Sequence, residues 1–238
     1  MTRWWMVAVV ALTALKAHGA EDATVATYTA SYRVEYKGRE AGTAEFGVRH
    51  LADRDVYEFS SSVRAKGLLK LARPNPAVER SHFRVSADGV RPLEFWYEDG
   101  SRSGEDNFHI VFDWDRSIAT VGNAAGRREV ALPSGALDRG SLQVALMRDL
   151  AATGTTRAYQ LADEDSVAEY EYMDNGTATM QTGVGPVETR ILTQQRAGSS
   201  RETWLWVAPQ LRFLPVRIEQ RRDGEVQTAF ELLSVDGL

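Results

Sequence analysis

The stretch Tyr28–Tyr36, YTASYRVEY, puts Tyr28, Ala30, Tyr32, Val34 and Tyr36 on one side of an extended chain and Thr29, Ser31, Arg33 and Glu35 on the other. Side chains of a strand alternate between its two faces, so this period of two marks a strand with one dry and one wet side. Strands of a parallel sheet, buried on both faces, read as continuous apolar runs instead. The alternation returns in Ala44-Phe46-Val48, Tyr57-Phe59-Ser61-Val63, Val187-Thr189-Ile191-Thr193 and Val226-Thr228-Phe230-Leu232. Between the runs stand Lys37-Gly38, Asp53 to Asp55, Asp88-Gly89, Asp99-Gly100, Asn175-Gly176 and Asp223-Gly224. Asp-Gly and Asn-Gly pairs suit tight hairpin turns because glycine tolerates the positive φ those turns need. The chain reads as an antiparallel meander.

One segment breaks the period. In LDRGSLQVALMRDLAATG, Leu142, Ala145, Leu146, Asp149 and Leu150 recur at helical spacing, and Val144 and Met147 widen the apolar stripe. Asp138 or Ser141 can cap its start and Gly154 its end, which predicts a helix over about 138–151. It is the one substantial helix expected, and its stripe needs the dry concave side of the sheet as a partner. The fold class expected is mainly β: a strongly curved antiparallel sheet, an open or half barrel, with one helix on the concave side. No linker or charge run divides residues 21–238, so a single domain is expected. The segment 121–140 reads as a hairpin and the approach to the helix, with four strands before it and the rest after.

The stretch WLWVAPQLRFLPVRIE, residues 204–219, raises a separate question. Trp204-Leu205-Trp206-Val207 is apolar on both faces; Pro209 removes a ladder donor and starts a loop, and Pro215 is tolerated at a strand's start. Arg201, Arg212, Arg217 and Glu219 exclude a membrane segment, so the stretch is a hairpin. One face of its first strand meets the core, and the other needs cover.

The N-terminus reads MTRWWMVAVVALTALKAHGAED: Arg3 gives a positive end, Trp4 to Leu15 an apolar run, and Ala17 to Ala20 a small-residue exit. That is the tripartite pattern of a secretory signal peptide over residues 1–20, cleaved near Gly19 or Ala20. A run of twelve residues, eleven of them apolar, is too short for a span of about 20. A periplasmic protein with no transmembrane span in the mature chain is expected. Losing Arg3 and Lys16 with the leader lowers the net charge from −5 by a further two, which gives no electrostatic reason to hold nucleic acid. The 238 residues, 43% hydrophobic and 26% charged, can build an ordinary core. The absence of cysteine excludes disulfides, thiolate metal sites, a lipid anchor on cysteine and cysteine nucleophiles.

The motifs YRVEYKGREAGTAEFGV (32–48), GLLKL (67–71), DGVRPLEFWY (88–97), LPSGALDRGSLQVALMRDL before and in the helix, QTGVGPVETRIL (181–192), APQLRFLPVRIE and the closing FELLSV follow one another along the chain. Together, across residues 28 to 235, they resemble a bacterial envelope family, domain-of-unknown-function family 3108. The resemblance implies an exported, sheet-rich domain with no assigned catalytic residue. A shape similar to that of the open half-barrel lipoprotein carriers is expected, an analogy at the level of fold alone.

No catalytic constellation emerges. His50, His82 and His109 are dispersed without metal-ligand spacing, and no Gly-x-Ser-x-Gly elbow is present. Asp163 to Ser166 lacks the glycine and distal glutamate of a calcium loop and reads as a solvated turn. Gly183-x-Gly185 precedes a strand and cradles no phosphate. No catalytic residue, metal or cofactor is expected. The bland reading of the aromatic excess is core plus one hairpin corner. The sharper one is a sheet too wide for one helix to fill, which leaves an apolar cavity. Tyr32, Tyr36, Phe59, Leu146, Trp204 and Trp206 would line it, with Leu68, Leu69 and Leu71 at its mouth. A carrier of an apolar envelope ligand, a lipid or acyl chain, is the first function expected. The alternative is a non-catalytic structural or assembly partner in envelope or surface-polysaccharide biogenesis, and an enzyme is the third reading.

Overall fold

The computed structural model describes residues 25–238. The leader expected over residues 1–20 and its expected cleavage site lie outside the described residues.

Eight strands come first: β1 (Tyr28–Tyr36), β2 (Arg39–Leu51), β3 (Val56–Ala65), β4 (Ala77–Ser86), β5 (Gly89–Glu98), β6 (Phe108–Asp113), β7 (Ile118–Asn123) and β8 (Gly126–Ala131). A four-residue α1 (Leu69–Ala72) interrupts the connection from β3 to β4. After α2 (Arg139–Thr153) come β9 (Tyr159–Ala162), β10 (Val167–Thr182), β11 (Gly185–Gln195), β12 (Arg201–Ala208), β13 (Leu214–Arg222) and β14 (Glu225–Asp236). Eight strands precede the helix, not four: inward Ser81 and Pro92 interrupt the apolar alternation of 77–98, and the regular alternation of Phe108, Ile110, Phe112, Ala119 and Val121 is confined to strands of only six residues.

All fourteen strands form one antiparallel sheet in the order β8 to β1, then β14 to β9. The first and last strands join its two arms, with Thr29 opposite Asp236 and Tyr36 opposite Thr228. Within each arm successive strands are joined by reversals, the cheapest connection an antiparallel ladder allows, the longest being residues 66–76 between β3 and β4. Register shifts at Ser31/Tyr32, His82/Phe83, Trp206/Val207 and Gln220/Arg221 bend the sheet. Asn175-Gly176, expected as a turn, is instead a bulge inside β10, where the register slips between Asp174 and Thr177. Turn and bulge use glycine for the same reason, and Gly176 indeed has φ of 90°.

The sheet stops short of a barrel. The outer strands β8 and β9 do not pair with each other; side chains bridge the arms, Asn123 Nδ2 donating to Glu164 Oε1 at 2.7 Å and Arg128 pairing with Asp165 at 3.2 Å. Ile110, Val121 and Leu132 from one arm meet Ala162 of the other. The free edge β8 is exposed and carries Arg127, Arg128 and Glu129, which blunts it against pairing with another chain.

The helix enters the hollow. Asp138 accepts from the Ser141 amide at 2.9 Å while the Ser141 hydroxyl accepts from the Asp138 amide at 2.9 Å, a reciprocal cap, and Gly154 closes the other end in the left-handed conformation. Leu142, Leu146 and Leu150 pack with Leu192, Leu205 and Val207, and Val144 and Met147 join the core of Tyr32, Phe46, Phe59 and Phe83. Gly140 permits this approach: a Cβ there would stand 2.5 Å from the Phe59 ring.

Because every strand reverses the one before, the β1–β2, β3–β4, β11–β12 and β13–β14 connections share one rim. The paired ends of β1 and β14, Thr29 and Asp236, lie at the other.

Candidate functional site

Between α2 and the sheet, on the side of the first rim, lies a cavity of about 1060 Å³ open to solvent. That is at the upper end of the range, about 300–1,000 Å³, in which proteins hold small ligands. Phe46, Phe59 and Val63 form one wall and Leu142 and Leu146 of α2 the floor. In the opposite wall Phe230, Ile218 and Leu205 are register partners, one apolar rung across β14, β13 and β12.

A charged trio stands beside these side chains, and further charged residues line the cavity towards its mouth. Arg139 donates to Glu79 at 3.0 Å and to both Asp163 oxygens at 2.8 and 3.0 Å, with its guanidinium 5.3 Å from the Tyr97 ring centre. Burial alone would lower the Arg139 pKa, but the Asp163 and Glu79 carboxylates outweigh it and hold the cation. The trio locks the first turn of α2 to β4 and to the β9–β10 turn. With two carboxylates for one guanidinium, it offers no spare positive charge deep in the cavity.

The mouth differs. Arg201 of β12 lies directly opposite Arg222 of β13, and Arg196 stands in the adjoining turn; all three border the cavity. None of them makes an ion pair among the described residues. Like charges placed opposite one another on neighbouring strands repel, so the pair costs stability that an anion at the mouth would recover.

Of the residues expected at a cavity, Tyr36, Phe59 and Leu146 line this one, with Tyr36 46% exposed at the mouth. Tyr32 is fully buried beside it: its ring packs 4.8 Å from Phe46, and its hydroxyl donates to the Pro215 carbonyl at 2.9 Å. Leu68, Leu69 and Leu71 stand on the rim, exposed and outside the lining. Trp204 and Trp206 are on the face of β12 opposite Leu205, which turns inward. Their cover comes from within the chain. Arg221 lies 4.2 Å over Trp204 and Arg217 5.8 Å over Trp206, and buried Glu219 holds both arginines, at 2.9 Å from each Nε. That answers what shields the second face of the Trp204–Val207 strand without calling on a ligand.

Leu205, Ile218 and Phe230 escaped the sequence reading as lining residues, although the alternation of 226–232 placed Phe230 on a dry face. Arg139 left no signal at all, since its partners are 60 and 24 residues away.

A further buried carboxyl anchors the site from behind. Asp138, with no exposed surface, also accepts from the Ser81 hydroxyl at 2.8 Å. Burial raises its pKa to about 6, against the opposing pull of the Ser141 amide and the Ser81 and Ser141 hydroxyls. The histidines do not join the cavity: His82 and His109 flank Trp96 at 4.8 and 4.9 Å, and His82 meets Glu58 at 3.0 Å. Among the described residues, no helix is long and apolar enough to cross a membrane.

The sheet, its helix and the cavity between them define an open half barrel wrapped around one helix. The chain belongs to the family described as protein of unknown function DUF3108, whose model matches residues 31–229. None of the curated proteins matches it. Among solved structures it is similar to a beta-barrel-like protein of domain of unknown function DUF1849 from Brucella abortus. That match has a TM-score of 0.54 at 9% identity and covers 89% of this chain and 98% of the other. Weaker likeness extends to MucB, with a TM-score of 0.39, 9% identity and coverage of 89% and 53%. For the Pseudomonas aeruginosa MucA/MucB complex the values are 0.37, 10%, 88% and 51%. The chain thus spans about half the length of MucB. At these identities the likeness concerns the fold alone.

Proposed function

We propose that this protein is an exported, non-catalytic envelope carrier that holds an acyl-chain ligand in the half-barrel cavity. The leader would be cleaved near Gly19 or Ala20 and the mature protein released into the periplasm. The observation that carries the reading is the cavity itself, whose otherwise mixed lining contains an apolar band of Phe46, Phe59, Leu142, Leu146, Leu205, Ile218 and Phe230, with Arg201 and Arg222 unpaired at a mouth that Glu164 and Glu202 also border. An alkyl chain lies along the Phe230, Ile218 and Leu205 rung, and an anionic head group stays at the mouth. Burial of about fifteen methylenes, a long acyl chain, is worth roughly 12 kcal/mol at about 0.8 kcal/mol each, and an association cost of about 4 kcal/mol leaves roughly 8 kcal/mol. Micromolar affinity is the expected result.

The tryptophans report poorly on this site, since Trp204 and Trp206 face away from it. Displacement of a fluorescent fatty acid from protein unfolded, delipidated and refolded is the suitable test. Saturable binding in the micromolar range, competed by unlabelled fatty acid or lysophospholipid, is expected. A signal that never saturates, or that no acyl compound competes, contradicts the reading.

A further inference from the structure

Every residue from Lys66 to Asn75 is exposed, including α1, which buries none of its four residues. Leu68 is 85%, Leu71 73% and Leu69 41% exposed. Large aliphatic side chains on a projecting loop are costly in water, and the described residues leave Leu68 and Leu71 largely uncovered and Leu69 partly so. The loop is nevertheless held at both ends. The Lys66 amide donates to the Ala41 carbonyl at 2.7 Å, and Arg73 donates to the Asp99 carbonyl at 2.7 Å. Pro74 and Pro76 stiffen the exit.

The charge around the leucines is of one dominant sign. A groove of about 380 Å³ beneath the loop is lined by Arg64, Lys66, Lys70 and Arg73 with Glu40 as its single carboxylate. Lys66 pairs with Glu40 at 2.6 Å and Arg73 with Asp99, which leaves Arg64 and Lys70 without an ion pair among the described residues. The patch is basic on a chain whose net charge is −5. Aliphatic tips set among cations match the interface of an anionic phospholipid bilayer, where leucines enter the acyl boundary and cations meet phosphates.

We infer that the β3–β4 loop is a bilayer-docking element, with Leu68, Leu69 and Leu71 inserting into anionic phospholipid and Arg64 and Lys70 meeting its head groups. The loop springs from Val63 and Ala77, both of which line the cavity, so docking brings the cavity mouth to the membrane surface. The paired ends of β1 and β14 point the other way. This inference stands without the cavity being filled. If the carrier reading holds as well, the same element sets where the ligand enters and leaves.

Flotation with phosphatidylglycerol-containing vesicles, and with phosphatidylcholine vesicles as the control, tests it. The mature protein is expected to float with the anionic vesicles, and the Leu68→Asp/Leu71→Asp variant to lose about tenfold or more in binding. Neither leucine packs against the fold, so the variant keeps the melting temperature and the fatty-acid titration of the parent; that titration separates failure here from failure of the carrier reading. The chain has no cysteine, so Leu68→Cys can carry a single environment-sensitive fluorophore. Its emission is expected to shift to the blue on anionic vesicles, while the same label at Asp53→Cys on the opposite rim stays unchanged. Absence of flotation, flotation insensitive to the leucine change, or equal shifts at both labelled positions overturns the proposal.

Discussion

Asp138→Ala is expected to destabilise the fold by about 2 kcal/mol and to lower the melting temperature by several degrees. The variant removes the cap of α2 and strips buried Ser81 of its acceptor, which outweighs the relief of no longer burying a charge. Asp138→Asn separates these effects, since the amide oxygen still caps the helix. It also isolates a pH dependence. With its pKa raised from 3.8 to about 6, the folded protein holds this proton at pH values where the unfolded chain has already lost it. The carboxyl's contribution to stability is therefore greatest below about pH 4, falls as pH rises towards 6 and is constant above that. Denaturant titrations at pH 4.5 and 7.5 are expected to show the parent gaining on Asp138→Asn at the lower pH. Parallel behaviour of the two proteins contradicts the assignment.

The second large effect concerns ligand affinity. Val63 and Ile218 face the cavity from opposite walls, and both are only half-buried, so larger side chains there have open space to occupy. The double variant Val63→Trp/Ile218→Trp is expected to weaken fatty-acid binding by tenfold or more while stability changes by less than about 1 kcal/mol. The affinity loss follows from filling the volume that an alkyl chain would take. An unchanged affinity places the ligand elsewhere.

The architecture was legible where one local rule decided it. The alternation of YTASYRVEY, the Asp-Gly turns and the cap pair Asp138 and Gly154 each express a backbone preference within a few residues. The helix runs over Arg139–Thr153, within two residues of the range expected from its stripe and caps. Asn175-Gly176 misled because a bulge and a turn place the same demand on φ. The site was less legible. Phe59 and Leu146 reach the cavity because strand and helix periods both point inward there. Trp204 and Trp206 read as a surface needing cover, and their cover is a Glu219-held pair of arginines on the next strand, a long-range arrangement with no local signature. Arg139 illustrates the same limit, since Glu79 and Asp163 come to it only once both arms of the sheet have curled around α2. For Leu68, Leu69 and Leu71 the composition marked an apolar loop beside the mouth, but only the fold turns those side chains outward.

The most direct test of the carrier account is the mass of the protein as its own host makes it. Native mass spectrometry of protein purified without detergent is expected to show a population heavier than the mature chain by the mass of an acyl-chain compound, released on denaturation and reduced in Val63→Trp/Ile218→Trp. A single species at the mass of the bare chain, in both the parent and the variant, would contradict it.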